Sequence, residues 1–189
     1  YTAAGKHREQ AALLARRVAL RDDVPLELLI RLGQARAVVP GMEEPALMTL
    51  LQAQTSAPDN PQIFASILDL MARQNDWASV LAAHEGWLAY KGQDASLNEY
   101  LAAVEVATEY QGDPEAAIRL LISAAVHTGQ LRACGAHLSA VADTFGAWDQ
   151  LVAGWLLYSE ELADAGGALD AETLLLEWVV QGAPLPPQP

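Results

Sequence analysis

Cys134 and His137 stand one helical turn apart, a spacing at which a thiolate and an imidazole can share a metal ion. Two ligands do not complete a structural zinc site. Cys134 is also the only cysteine, which leaves no partner for an internal disulfide or a multi-cysteine site. The expected role is a small, partly buried thiol. Gly5-Lys6 has the closing pair of a phosphate-binding loop, yet no strand precedes it and His7, not Ser or Thr, follows the lysine. Asp22-Asp23, just before Val24-Pro25, reads as a helix stop followed by a cap rather than as an acidic metal pair. Glu43-Glu44 and Glu160-Glu161 are neighbours on helical stretches, so their carboxylates point in different directions and do not pair as acid and base. His84 and His127 have no carboxylate or nucleophile at a spacing that implies catalysis. A nucleophile elbow, paired HExxH ligands and a Gly-rich dinucleotide turn are all missing from the sequence. The expectation is a protein with no catalytic residue, no metal and no cofactor.

Composition narrows the remaining classes. With 52% hydrophobic residues in 189, the chain can bury a sizeable core. Its longest apolar runs, such as Leu120 to Val126, fall far short of the roughly 20 residues that span a bilayer, so direct membrane insertion is not expected. Opening on Tyr1 rather than Met, the sequence is expected to be a segment of a longer protein. The net charge of −13 is unevenly spread: residues 1–40 carry seven basic and four acidic side chains, or +3, leaving −16 for residues 41–189. That acidic body disfavours phosphate backbones and hence nucleic acid. It favours a partner protein with a basic or mixed surface, or a cationic polymer. The basic residues near the start and the acidic remainder also form two halves of an electrostatic contact, which implies end-to-end self-association.

The elements that would position any site are helices. Ala and Leu recur at three- and four-residue spacing, strand-like alternation is missing, and Gly, Pro, Asp or Asn interrupts the pattern every 12 to 20 residues. The spacing predicts helices near 3–21, 24–38, 44–56, 61–74, 77–91, 96–111, 114–128, 130–144, 148–165 and 169–181, an all-α chain. Asp113 is placed as an N-cap, Pro114 in the first turn, Glu115 on the helix dipole and Gly129 as the stop, with Ala117, Leu120, Leu121 and Ala124 sharing one face. Trp77, Trp87, Trp148, Trp155 and Trp178 are expected in the core rather than in an aromatic binding stripe.

The turns repeat. Asn75-Asp76-Trp77, Gly112-Asp113-Pro114 and Gly146-Ala147-Trp148 correspond; Asp76 to Asp113 is 37 residues, Asp113 to Ala147 is 34, and Glu43 to Trp77 is 34. Similar helices follow: EEPALMTLLQAQ, DWASVLAAHEGW, DPEAAIRLLISA and AWDQLVAGWLLY. A two-helix unit of this length cannot bury its apolar face alone and must stack on its neighbours, although a closed bundle is the alternative. Here the sequence resembles the tetratricopeptide repeat. Leu32-Gly33 is similar to the first-helix pair of that family, Gly112-Asp113 to its turn, and Ala46 with Ala53 and Pro58, like Ala117 with Ala124, to its second-helix signature. Trp77 and Trp148 stand where an aromatic usually follows the turn. Val80 and Leu151 depart at the first small position, Trp87 and Tyr158 at the second, and Leu68 and Glu105 at the small position of the first helix, which implies wider helix crossings there. The resemblance implies a right-handed superhelical stack of antiparallel helix pairs, a single domain over 1–182. Its repeats would lie near 26–60, 61–96, 97–131 and 132–166, its flanking helices at 3–21 and 169–181, and a Pro-rich linker at 183–189.

What the resemblance implies for function is a non-catalytic scaffold that holds a partner protein on its concave face. First-helix residues outside the packing positions are the candidates: Gln62, Ser66, Asp69, Arg73, Asn98, Glu105, Glu109 and Asp143. Members that clamp a chaperone tail use a Lys, Arg and Asn cluster, whereas Arg73 stands nearly alone among Asp69, Glu105 and Glu109. An Ala-rich, acidic segment of this kind fits a periplasmic part of a bacterial envelope protein, favoured over a cytoplasmic one. The setting that the resemblance implies is exopolysaccharide secretion, where long arrays of this family serve in exporters such as that of the cationic Pel polysaccharide. A peptide-sensing regulator is the alternative, and an enzyme would need a polar pocket in the bundle.

Overall fold

The computed structural model describes residues 3–21, 23–166 and 168–181. Asp22 and the Pro-rich linker expected at 183–189 lie outside the described residues. Among the described residues every regular element is helical, so the all-α class holds. They divide into two compact units, Tyr1–Asp76 and Trp77–Pro189.

The first unit consists of α1 (Ala3–Ala19), α2 (Leu26–Ala37), α3 (Glu43–Ser56) and α4 (Pro61–Arg73). Each helix packs on the next, and α2 also reaches α4. Helix α2 is buried on two sides because it is apolar on two sides. Leu29 and Ile30 join Ala46, Leu50 and Ala53 of α3 and Ile63, Ile67 and Leu70 of α4 in one cluster. Leu28, Leu32 and Ala35 meet Ala11 and Leu14 of α1 in another. The α2–α3 crossing is close because residue 33 has no side chain: a Cβ on Gly33 would sit 2.7 Å from Cγ and Cδ2 of Leu50, which is itself wholly buried. Before α4, the Asn60 side chain accepts from the backbone N–H of Gln62 at 2.9 Å and of Ile63 at 3.3 Å, while Pro61 occupies the first turn.

The second unit runs through α5 (Trp77–Lys91), a 3₁₀ turn (Gly92–Asp94), α6 (Leu97–Glu105) with a π turn (Val106–Gln111), α7 (Pro114–Thr128), α8 (Leu131–Phe145), α9 (Trp148–Leu157), α10 (Ser159–Gly166) and α11 (Ala168–Gln181). Helix α7 is the centre and packs against α6, α8, α9 and α10. Its sequence explains why: Ala117, Leu121, Ala124 and Ala125 are wholly buried, and Ala116, Ile118, Leu120 and Ile122 nearly so. Asp113 caps it by accepting from Ala116 N–H at 3.0 Å, and Gly129, at φ +67°, ends it in the left-handed region that a side chain would strain. Helix α8 carries α11 on its other side. There Trp155 and Trp178 meet edge to face at 4.9 Å, with their indole N–H groups donating to Ala171 O at 3.2 Å and Ser139 Oγ at 2.7 Å. Trp87 is buried too, whereas Trp77 and Trp148 are only half-buried.

Two expected helices end differently. The stretch 148–165 breaks at Tyr158 into α9 and α10 with no Gly or Pro at the break. The stretch 96–111 finishes in the π turn, closed by Gly112 at φ +63° and by Asp113 N–H donating to Ala107 O at 2.8 Å. That wider turn goes with a clamp onto the start of α5: Tyr110 stacks on Trp77 with ring centroids 3.7 Å apart, and Gln111 Nε2 donates to Trp77 O at 2.7 Å. Among the described residues no helix is long and apolar enough to cross a membrane.

Candidate functional site

Two concavities of the second unit concentrate side chains that could meet a ligand. The first, about 340 Å³, lies between α6 with its π turn and α8. Leu101, Val104, Val141 and Phe145 give it an apolar surface, and Glu105, Glu109 and His137 are exposed along it. Its two hydroxyls are turned away, Thr108 Oγ1 donating to Val104 O at 2.9 Å and Thr144 Oγ1 to Ala140 O at 2.7 Å. Glu105 and Glu109 are one helical turn apart and have no ion-pair partner among the described residues. The groove therefore presents two uncompensated carboxylates beside an apolar strip. It can hold a chain segment that offers cationic groups and at least one apolar side chain.

The second concavity, about 470 Å³, is lined by Leu88 and Ala89 of α5, Tyr100 of α6, Leu120 and Val126 of α7, and Tyr158. On one wall Arg119 pairs with Glu85 at 2.7 Å. On another, the Tyr100 hydroxyl lies 3.4 Å from Ser123 Oγ and 3.3 Å from His127 Nδ1. Ser123 and His127 look like a nucleophile and base, but His127 Nδ1 sits 2.7 Å from the Ser123 carbonyl oxygen. That contact requires Nδ1 to be the protonated nitrogen, so it cannot take a proton from Ser123 Oγ at 3.3 Å. The pair is a helix-bound hydrogen bond and not a catalytic dyad.

The eight expected residues are divided between the two units. Gln62, Ser66, Asp69 and Arg73 form one stripe along α4. Much of its polarity is used internally: Arg73 pairs with Asp69 at 2.6 Å, and Ser66 Oγ accepts from Gln34 Nε2 at 3.3 Å while donating to Gln62 O at 2.8 Å. Asn98 is exposed in the first turn of α6, outside the groove lining. Asp143 accepts from the Trp148 indole at 3.2 Å. Of the four in the second unit, Glu105 and Glu109 alone line the α6–α8 concavity.

Cys134 and His137 also separate. The thiol is wholly buried, and burial pushes it up to about 11, while His137, one turn along α8, is exposed and lines the groove. Among the described residues no three His, Cys, Asp or Glu side chains are grouped to hold a metal ion. Burial lowers the pKa of His84 on α5. One polar node was not anticipated from the sequence. Glu99 accepts from Trp87 Nε1 at 2.8 Å, Lys91 Nζ at 2.8 Å, Ser96 N–H at 2.8 Å and Ser96 Oγ at 2.7 Å. The signal was present as Ser96-x-x-Glu99, a capping box. No protein-family model, curated protein or solved structure matches this chain.

Proposed function

We propose that this protein is a non-catalytic helical-repeat scaffold of the tetratricopeptide type, and that the groove between α6 and α8 holds a basic, extended segment of a partner protein. The observation that carries this is the placement of Glu105 and Glu109 on an apolar groove with no cation of the described residues to neutralise them. Supporting the repeat reading, each helix packs on the next from α1 to α4 in the first unit and from α5 to α9 in the second, and Gly33, Ala46, Ala53, Ala117 and Ala124 occupy close-packed positions between helices. An acidic surface of this kind also suits a cationic polymer, which fits a role in the secretion of such a polymer across a bacterial envelope.

Fluorescence anisotropy with labelled peptides of equal length, one Lys/Arg-rich with interspersed Leu and one Glu-rich, tests the reading. The basic peptide is expected to bind, and Glu105→Lys with Glu109→Lys to weaken it about tenfold or more, since each exposed charge is worth up to about 1 kcal/mol. Asp69→Lys on α4 is expected to leave binding unchanged. Equal binding of both peptides, or equal loss with either charge reversal, would count against a specific groove.

A peptide-sensing role is the second reading, and the larger concavity beside Tyr100 and His127 favours it. Thermal-shift screening with short apolar peptides tests it. Stabilisation that Ser123→Leu abolishes is the expected result, and no stabilisation by any of them would remove it.

A further inference from the structure

Helix α11 carries a second apolar stripe, and the outward face of α1 carries two leucines among cations, that no described residue of their own unit covers. On α11, Ala171, Leu174 and Trp178 are buried. Leu169, Thr173, Leu176 and Val180 recur at i, i+4, i+7 and i+11 on another face, and Leu169, Leu176 and Val180 are 77%, 66% and 87% exposed. A helix that covers one core needs only one such stripe. On α1, Ala11 and Leu14 are buried against α2. Lys6, Gln10, Leu13 and Arg17 share the outward face, and Leu20 continues it just past the helix; Leu13 is 65% and Leu20 76% exposed.

The two faces have opposite charge. Residues 1–21 hold Lys6, Arg8, Arg16, Arg17 and Arg21 against Glu9 alone, a net +4. Residues 159–181 hold Glu160, Glu161, Asp164, Asp170, Glu172 and Glu177 with no Lys or Arg, a net −6. Arg132 of α8 pairs with Asp170 at 3.2 Å and with Glu177 at 3.8 Å, on one flank of α11. Glu172 on the other flank, and Glu160, Glu161 and Asp164 on α10, have no ion-pair partner among the described residues, and neither do the cations of α1.

We propose that this chain docks head to tail with a second copy of itself, the outward face of α1 on one copy seating on the outward face of α11 on the next. Like faces repel: α11 against α11 sets carboxylates opposite carboxylates, and α1 against α1 sets guanidinium groups together. Only the unlike pair sets the two exposed leucines of α1 against the apolar stripe of α11 and matches cation to anion. Such an interface is heterologous, and a dimer joined by one such contact keeps one free face of each kind for a further copy. It uses surfaces outside the α6–α8 groove and does not rest on the proposed partner.

Sedimentation velocity tests this with two variants whose replaced side chains are all exposed: Leu13→Glu with Arg17→Glu, and Leu176→Lys with Val180→Lys. Far-UV circular dichroism checks that both remain helical. For the unaltered chain, average mass is expected to rise with concentration beyond a dimer at about 50 mM salt and to fall back at about 500 mM, where charge is screened. Each variant alone is expected to stay monomeric, and their equimolar mixture to form a dimer that grows no further, since it retains one intact face of each kind. Glu105→Lys with Glu109→Lys is expected to associate as the unaltered chain does. A monomeric unaltered chain at all concentrations and salts would overturn the proposal. So would self-association of either variant alone, or a mixture that remains monomeric.

Discussion

Replacing Glu99 by Gln tests the one polar node that ties the end of α5 to the start of α6. The Glu99 carboxylate is half-buried. Burial alone would raise its pKa, but hydrogen bonds from Lys91, the Ser96 backbone, the Trp87 indole and the Ser96 hydroxyl outweigh that and lower it from 4.5 to about 2. The unfolded chain takes up this proton near pH 4.5, whereas the folded chain holds out until about pH 2. Between those values the unfolded state binds more protons. The stabilisation is therefore complete above pH 4.5 and is lost as pH falls toward 2. At about 1.4 kcal/mol per unit of pKa the shift corresponds to about 3 kcal/mol, which solvent screening of a half-buried pair reduces to about 2 kcal/mol. Glutamine keeps the shape but has one acceptor oxygen instead of two, and its amide N–H₂ opposes the donors that surround it. Urea unfolding of both proteins, followed by far-UV circular dichroism, is expected to show Glu99→Gln less stable by about 2 kcal/mol at pH 7. That gap should narrow to near zero by about pH 2, while all other carboxylates titrate alike in both proteins. A gap that stays constant between pH 7 and pH 2, or is absent at pH 7, would refute the reasoning.

Gly33→Ala is expected to destabilise by about 1–3 kcal/mol in the same unfolding assay, because the new methyl meets the immobile Leu50 side chain. Gly86→Ala, inside α5 with open space around its Cα, should instead stabilise by about 0.5–1 kcal/mol, and equal effects of the two would contradict the packing at the α2–α3 crossing. Cys134 should react with a thiol reagent at neutral pH only as fast as the protein unfolds, since its thiol is wholly buried and burial raises it to about 11. Fast labelling in the absence of urea would place the thiol elsewhere.

Helix starts and stops were the most legible part of the fold, because their causes are local. Asp113, Pro114 and Gly129 act at the positions that their chemistry suits, and neither cap nor stop needs a distant partner. The π turn was not legible: it accompanies the stacking of Tyr110 on Trp77, a contact across 33 residues that no periodicity encodes. The break at Tyr158 has no Gly or Pro to announce it. At the candidate site, helix register alone puts Glu105 and Glu109 one turn apart on one element, and both line the α6–α8 concavity. The repeat register placed Asp143 with them although its carboxylate is held by the Trp148 indole, a bond that depends on how the α8–α9 turn folds back. The larger concavity was beyond reach of the sequence, since Tyr100, Ser123 and His127 meet across 23 and 27 residues.

The central claim is that the α6–α8 groove receives a basic segment. Backbone amide chemical shifts of the labelled chain, titrated with the Lys/Arg-rich peptide, test it most directly. The account predicts that the shifts concentrate on Leu101, Glu105, Thr108, Glu109, His137 and Phe145 and vanish with Glu105→Lys and Glu109→Lys. Shifts confined to the cavity of Tyr100, His127 and Tyr158, or to α4, would contradict it.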